Sequence, residues 1–295
     1  MNAKGVDISV WQDKNSTPQM FNPLKARAKG ASFVGIKTSQ ANWADPDYSQ
    51  NWAICRPFLY RLPFHFLTWD VSPRRQAEVF WSLLERDTFG LLPLACDFEW
   101  WKTVPTRAMD VLYSFMERLK DLASPLPMAI YSAKSFWDPN GSHADYWKQF
   151  HLWLCDITGP VDVPKPWDKW TFHQYTFKLY GPDWGAESLD LDGDYYNGTL
   201  AEMITRFNLP ELDRLSIPPA PTTQPEPVGG LRMKVISDGL RIREAPSLKA
   251  DVVDYLTQAQ VVQVKDVVVT ETWAKLGERR YAAIYVDGEH YMETV

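Results

Sequence analysis

Leu91-Leu92-Pro93-Leu94-Ala95-Cys96-Asp97-Phe98-Glu99-Trp100-Trp101 begins as an apolar run and ends in two acids and two tryptophans. The run reads as a buried strand. Side chains alternate along a strand, so Ala95, Asp97 and Glu99 share one face and Leu94, Cys96 and Phe98 the other. Two acids on a mostly apolar strand are costly to bury without partners or a chemical task. Such a pair suits glycoside hydrolysis, in which one acid protonates the leaving oxygen and another group handles the charge that develops on the sugar. Taken alone, an Asp-x-Glu triplet fits a strand end with solvated acids better, so the surrounding chain has to decide.

On both sides of this strand the pattern turns helical. Upstream, Ser72-Pro73 supplies an N-cap and a proline at the first helical position, for a helix reaching about Asp87. Downstream, Met109, Leu112, Met116 and Leu119 recur at helical spacing within Thr106 to Ala123. The alternation continues outward. Strands are expected at residues 5–12, 32–39, 62–67, 127–132, 151–156, 170–175 and 189–192. Helices are expected at Pro23–Gly30, at Asp47–Tyr60, at Asp145–Phe150 and from Asn197 to near Asn208. The first five units predict parallel βαβ packing, and the later strands lack some intervening helices. The expected fold class is α/β: an irregular TIM-like barrel of eight strands with an incomplete helical ring. Active sites of such barrels sit at the C-terminal strand ends. Asp7, His65, Asp97, Glu99, Tyr131, Gln174 and Asp192 all fall at or near those ends.

Composition narrows the function. Of 14 tryptophans, 13 precede residue 185, an excess that suits a cleft stacking flat rings as sugar sites do. A net charge of −6 argues against nucleic acid as the main partner. Cys55, Cys96 and Cys155 have neither disulfide nor metal-type spacing and read as small core residues. No metal or cofactor is expected. The N-terminal residues lack an apolar stretch of signal-peptide length, and no run reaches the ~18 apolar residues of a membrane span. The expectation is a product made in the cytoplasm, without membrane insertion.

Residues 216–230 hold five prolines and a Gly pair, the composition of a semi-rigid spacer. Beyond it the chain changes character, to short β-branched runs between turns and a single tryptophan, Trp273. The expected organisation is a barrel over 1–212, a linker over 213–230 and a small all-β domain over 231–295, a size that only just supports its own core.

The N-terminal part resembles glycoside hydrolase family 25, the Chalaropsis-type lysozymes that cleave peptidoglycan. The resemblance rests on Gly5-Val6-Asp7-Ile8-Ser9-Val10-Trp11-Gln12, Phe33-Val34-Gly35-Ile36-Lys37-Thr38-Ser39, Pro63-Phe64-His65-Phe66, Leu94-Ala95-Cys96-Asp97-Phe98-Glu99, Met128-Ala129-Ile130-Tyr131-Ser132 and Leu152-Trp153-Leu154, in family order across roughly residues 3–210. Two departures stand out. The family's Trp-Gln-Tyr is His173-Gln174-Tyr175 here. Its closing Asp-x-Asn-x-Phe-Asn-Gly meets Asp190-Leu191-Asp192-Gly193-Asp194-Tyr195-Tyr196-Asn197-Gly198. Counting back from Asn197-Gly198 selects Asp192; matching by the following Asx leaves Asp190 or Asp192. The C-terminal part resembles a bacterial SH3-like module through Gly239-Leu240-Arg241-Ile242-Arg243-Glu244-Ala245-Pro246-Ser247 and Trp273-Ala274-Lys275-Leu276.

The resemblance implies an N-acetylmuramidase acting on peptidoglycan glycan strands, with the tail binding cell-wall peptide. It implies Glu99 as general acid and Asp97, roughly 6.6 Å away between α-carbons, as the group that orients the substrate's 2-acetamido nucleophile. Asp7 and Asp192 complete an acidic floor. His65, Tyr131, Trp153, Gln174 and Trp101 are candidate sugar contacts. For His65 the alternatives are a proton shuttle, a metal ligand or a core histidine satisfied by a carboxylate. With no secretion signal and a wall-binding-like tail, a phage or prophage endolysin acting on the bacterial wall is expected. The rival readings are a catalytically silent wall-binding or phage structural protein on the same barrel, and a chitinase-like hydrolase, whose strand motif carries more acids ahead of the Glu.

Overall fold

The structure, a computed structural model, describes residues 1–12, 21–84, 87–100, 102–158 and 160–212, and within the C-terminal part 231–236, 240–256, 260–264, 266–268, 273–277, 280–286, 289–290 and 292–294. These fall into two compact units, one holding residues 1–12 and 23–210 and the other Phe21, Asn22 and the described residues from Glu211 onward.

The first unit is a closed ring of eight strands: β1 (Lys4–Ile8), β2 (Ala31–Gln40), β4 (Tyr60–Phe66), β5 (Leu94–Asp97), β6 (Met128–Ala133), β7 (His151–Cys155), β8 (Phe172–Tyr180) and β9 (Asp190–Tyr196). β3 (Trp43–Ala44) folds back on the end of β2 as a short hairpin. Neighbours from β1 to β8 in this ring pair in parallel, whereas β9 runs antiparallel to both β8 and β1. An all-parallel barrel would bring the C-terminal end of the last strand to the cleft. Here the start of β9 is brought there instead, because β8 and β9 join through only the short helix α6 (Gly181–Trp184). So short a connection suits antiparallel neighbours better than a parallel crossover.

Helices α1 (Pro23–Ala28), α2 (Tyr48–Cys55), α3 (Pro73–Leu83), α4 (Ala108–Ala123), α5 (Lys134–Asn140) and α7 (Leu200–Phe207) complete the unit. Ser72 Oγ accepts from the Arg75 amide at 3.5 Å and Pro73 stands at the first turn of α3, as its sequence signal predicts. α4 buries Val111, Leu112, Phe115, Met116 and Leu119 on one face. Each such side chain contributes about 1.5–3 kcal/mol on burial. Met109, expected on that face, is half-buried at its edge. α7 opens on a reciprocal capping box between Thr199 and Glu202 and ends at Asn208 in the left-handed region (φ 48°). α5 was not expected, since Pro139 lies inside it. Between β7 and β8 no α-helix is assigned among the described residues, so the helical ring is incomplete on that side.

The strand that carries the acids is held from below. Arg61, fully buried on β4, donates to Asp87 Oδ2 at 2.9 Å and to the Phe89 carbonyl, and lies 4.0 Å over the Trp52 ring. This fastens the loop entering β5 to the wall of the barrel. The unit also contains three free cysteines; Cys55 and Cys96 are buried and Cys155 is half-buried at the end of β7.

In the second unit, strand Leu231–Val235 pairs antiparallel with Val261–Val264 and Met292–Thr294. A five-stranded antiparallel sheet runs in the order Val252–Leu256, Leu240–Arg243, Arg280–Ala283, Trp273–Gly277, Asp266–Val268. Met233, Val235, Leu240, Ile242, Leu256, Ala274, Ala282 and Ile284 are its buried apolar residues. The proposed linker, 213–230, lies outside the described residues. Among the described residues no helix is long and apolar enough to cross a membrane.

Candidate active site

β5 is shorter than the sequence suggests. It ends at Asp97, and Glu99 sits just past it. Asp97 is nearly buried, at 6% exposure, while Glu99 is half-buried. Both line a cavity of about 200 Å³ at the C-terminal mouth of the barrel. Asp7 from β1, Tyr131 from β6, Trp153 from β7, Gln174 from β8 and Asp192 from β9 line the same cavity. The antiparallel register sets Asp7 directly opposite Asp192, which puts the two on one face. Asp190 is exposed, whereas Asp192 lines the cavity.

The first turn after β1 closes the mouth. Val10–Gln12 forms a 3-10 turn rather than the continued strand expected from its alternation. Gln12 Oε1 accepts from the Ser9 amide at 2.8 Å and from Ser9 Oγ at 2.9 Å, and Asp45 Oδ1 accepts from the Val10 amide at 3.1 Å. Short polar side chains that bond to nearby amides end strands in this way. The turn leaves Trp11, 76% exposed, at the rim of the cavity.

Gly35 makes room for the floor. A Cβ there would stand 2.6 Å from the Asp7 Cβ and 3.0 Å from the Trp153 ring. With that space open, a hydrogen-bond chain crosses the barrel. Tyr131 Oη donates to Gln174 Oε1 at 2.8 Å, and Gln174 Nε2 donates to Asp7 Oδ2 at 3.0 Å. Trp153 Nε1 donates to Asp194 Oδ1 at 2.8 Å.

Lys37 is the one cation among the described residues lining the cleft. Its Nζ donates to Gln40 Oε1 at 2.8 Å and lies 5.1 Å over the Phe66 ring. Burial pushes its pKa down, and the charges of Asp97, Asp45 and Glu99 oppose that shift. Asp97 is held well above the ordinary carboxylate range by burial and then by the Glu99 charge, with Lys37 pulling it down. Burial raises Glu99 too, again against Lys37. Asp192 is pushed up to about 8 by burial, Asp7 and Glu99. Every one of these carboxyls is thus pushed toward its protonated form, the direction general acid chemistry requires.

His65 does not reach this site. Phe64 and Phe66 line the cavity, so His65 between them points outward, fully buried. A register shift between Lys37 and Ser39 turns Ser39 outward as well, and its Oγ lies 2.7 Å from His65 Nδ1. Gln76 Oε1 lies 3.1 Å from Nε2, and the ring stacks on Phe115 at 5.0 Å. His65 thus ties β2 and β4 to α3 and α4. Its partners are a hydroxyl and an amide, not the carboxylate expected, and burial drives its pKa down to about 3. His173, at the family's Trp position, also points away from the cleft, with Nε2 2.7 Å from the Asp156 carbonyl. Trp100 is half-exposed with its edge on Phe136. Trp101 lies outside the described residues. No group of His, Cys, Asp and Glu able to hold a metal ion occurs among the described residues.

Sequence reasoning missed Lys37, Trp11, Phe64, Phe66 and Asp194. Lys37 had a signal: a lone cation inside an apolar strand needs an anionic partner. Asp194 had one too, two residues beyond Asp192 on the same strand face.

The sequence profile of Glycosyl hydrolases family 25 matches residues 6–184. No curated protein sequence matches the chain. Among solved structures, the bacterial lysozyme from Streptomyces coelicolor is similar at 23% identity and a TM-score of 0.58, over 70% of this chain and 98% of its own. A muramidase from Trichobolus zukalii is similar at 24% identity and the same TM-score, over 70% and 98%. The CTP1L endolysin is similar at 17% identity with a TM-score of 0.56, over 70% and 69%. The family profile stops short of Asp192 and Asp194, whose place in the site rests on geometry.

Proposed function

The chain belongs to glycosyl hydrolases family 25, and we propose that its cleft hydrolyses the β-1,4 bond from N-acetylmuramic acid to N-acetylglucosamine in peptidoglycan. The observation that carries this is the convergence of Asp7, Asp97, Glu99 and Asp192 in one cavity with a single cation, Lys37, among its described lining residues. Glu99 gives its proton to the glycosidic oxygen as the C1–O bond breaks. The carbonyl oxygen of the substrate's 2-acetamido group attacks C1, and Asp97 accepts the acetamido N–H and balances the positive charge. Water then opens that ring at C1, giving its proton to the Glu99 carboxylate.

In the free cleft burial raises both Asp97 and Glu99. Substrate separates their tasks. An acetamido N–H donated to Asp97 stabilises its charged form and leaves the proton on the more exposed Glu99. Tyr131, Trp153 and Gln174 contact sugar or hold the acids that do, and Trp11 offers a stacking face at the rim.

For the second unit we propose a bacterial SH3-like module, residues 231–295, that binds cell-wall peptide and follows a linker over 213–230. Its short antiparallel strands and small apolar core support this reading. A phage or prophage endolysin fits the combination, and one of the similar structures is an endolysin.

Digestion of purified peptidoglycan followed by mass spectrometry of the reduced fragments tests the activity. Reduced muramic acid ends are expected; reduced glucosamine ends would replace the muramidase reading with a glucosaminidase. For the tail, wall pull-down by the full chain and by a chain ending at residue 212 is compared, and equal retention ends the targeting proposal.

A further inference from the structure

Five carboxyl groups crowd the barrel mouth, and the proposed reaction uses Asp97 and Glu99 directly. Asp7 and Asp194 lie beneath them. Gly5 pairs with Asp194 and Asp7 with Asp192 across β1 and β9, so Asp192 and Asp194 follow one another into the barrel on the face that carries Asp7. Asp194 is fully buried and Asp7 is 8% exposed. The two carboxyls touch each other side chain to side chain. Gln174 supplies the donor to Asp7 Oδ2 and Trp153 the donor to Asp194 Oδ1. Asp194 Oδ2 is left buried with no donor among the described residues. An ionised carboxylate only accepts, so two ionised groups in contact would leave that oxygen unsatisfied and two like charges together in a dry site. One proton between them turns the same contact into a charge-assisted hydrogen bond.

We propose that Asp7 and Asp194 form an acid pair holding one shared proton, and that Asp194 is a positioning residue that fixes the charge of the cleft floor at a single negative unit. The proposal rests on the hydrolase reading only for its catalytic consequence. Asp194 makes the floor charge depend on pH. The groups facing the pair are Asp192 from its own strand β9, Asp97 at the end of β5, Glu99 beyond it, Cys155 at the end of β7 and Tyr175 on β8. Tyr131 on β6 reaches it through Gln174. All are acidic or neutral. Lys37 acts on Asp97 and Glu99 across the cleft instead. Burial and the like charge raise Asp7 well above the carboxylate range, and burial lifts Asp194 to about 7. Loss of the shared proton at alkaline pH gives the floor a second charge and releases the two side chains from each other.

The test compares thermal midpoints of the full chain and its Asp194→Asn variant across pH, followed by tryptophan fluorescence. Folding holds a proton that the unfolded chain releases above about pH 4, so the pair's stabilisation fades as pH rises. The variant lacks that loss. Its midpoint relative to the parent should climb by about 5 °C between about pH 5 and pH 8. Asp7→Asn should flatten the profile in the same way, and the double variant should add nothing further. In activity, the alkaline limb of kcat/KM should move to higher pH in Asp194→Asn. Parallel stability profiles of the parent and either single variant overturn the proposal. If neither variant folds, potentiometry on a chain carrying Asp97→Asn, Glu99→Gln and Asp192→Asn, which removes the other raised acids of the cleft, decides: its unfolding at about pH 7.5, above the ordinary histidine range, releases at least one proton if the pair exists and none if it does not. The stability and proton measurements need no substrate, so failure of the muramidase reading leaves them readable.

Discussion

Glu99 and Asp97 differ in depth more than in chemistry, and depth divides their tasks. Asp97 has an oxygen buried with no partner among the described residues, so it lacks a donor until substrate brings one. Lys37 restrains both acids from rising further. Lys37→Met should therefore move the alkaline limb of kcat/KM upward by about one pH unit and lower the neutral-pH rate about tenfold, because without the cation both carboxyls hold their protons more tightly and Asp97 ionises less readily. A pH–rate profile of the two proteins reads this; an unmoved limb would remove Lys37 from the electrostatics. The Asp-x-Glu spacing was legible in the sequence because strand alternation is local. Lys37 was passed over because its anionic partners lie on another strand, and only closure of the barrel brings β2 opposite β5.

Elements explain which residues were misplaced. His65 lies between Phe64 and Phe66, and only the direction in which the strand faces separates a cleft residue from a core one. Barrel strands are apolar on both faces, so no alternation marked the inward side. His65→Ala should cost about 2–4 kcal/mol through lost packing and unpaired Ser39 and Gln76. It should leave KM for peptidoglycan unchanged, as checked by denaturant unfolding beside steady-state kinetics. β9 was read as a short eighth strand, and nothing in Leu189–Asp192 reveals its antiparallel direction. The spacing to Asn197-Gly198 still selected Asp192, since the strand places both ends whichever way it runs. At Gly35 the element and the site meet. Gly35→Ala drives a methyl into Asp7 and Trp153, and a loss of about 1–3 kcal/mol with reduced kcat is expected. A melt of the variant within a degree of the parent, at full activity, would mean the floor yields freely.

For the molecule as a whole, the buried acids and histidines set opposed pH dependences. Asp7, Asp97, Glu99, Asp192 and Asp194 are all raised, so each stabilises the native state below its unfolded value and loses that contribution as pH climbs through its native one. His65 and His151 are lowered to about 3 and about 4; both are neutral in the fold, His65 buried and His151 half-buried, and their contribution is complete only above about pH 6.5. From about pH 6.5 to pH 8 only the acids still titrate, and Asp192 and Asp194 do so near 8 and 7. The melting midpoint of the barrel should therefore fall across that window. Tryptophan fluorescence follows it, since 13 of the 14 tryptophans lie in the first unit. A midpoint that rises there would mean the cleft acids are ionised. The barrel class was legible from the order of strand and helix patterns, which is a property of the whole chain. The ring's closure by one reversed strand was not, because it depends on pairing between residues nearly two hundred positions apart.

The most direct measurement sets the parent and Glu99→Gln side by side on the same purified peptidoglycan, with matched melting curves, and counts new reducing ends at muramic acid. The parent should release them and the folded variant should fall by at least about 100-fold, the share of a lost general acid. A folded Glu99→Gln as active as the parent, or a parent that releases none, would contradict the account.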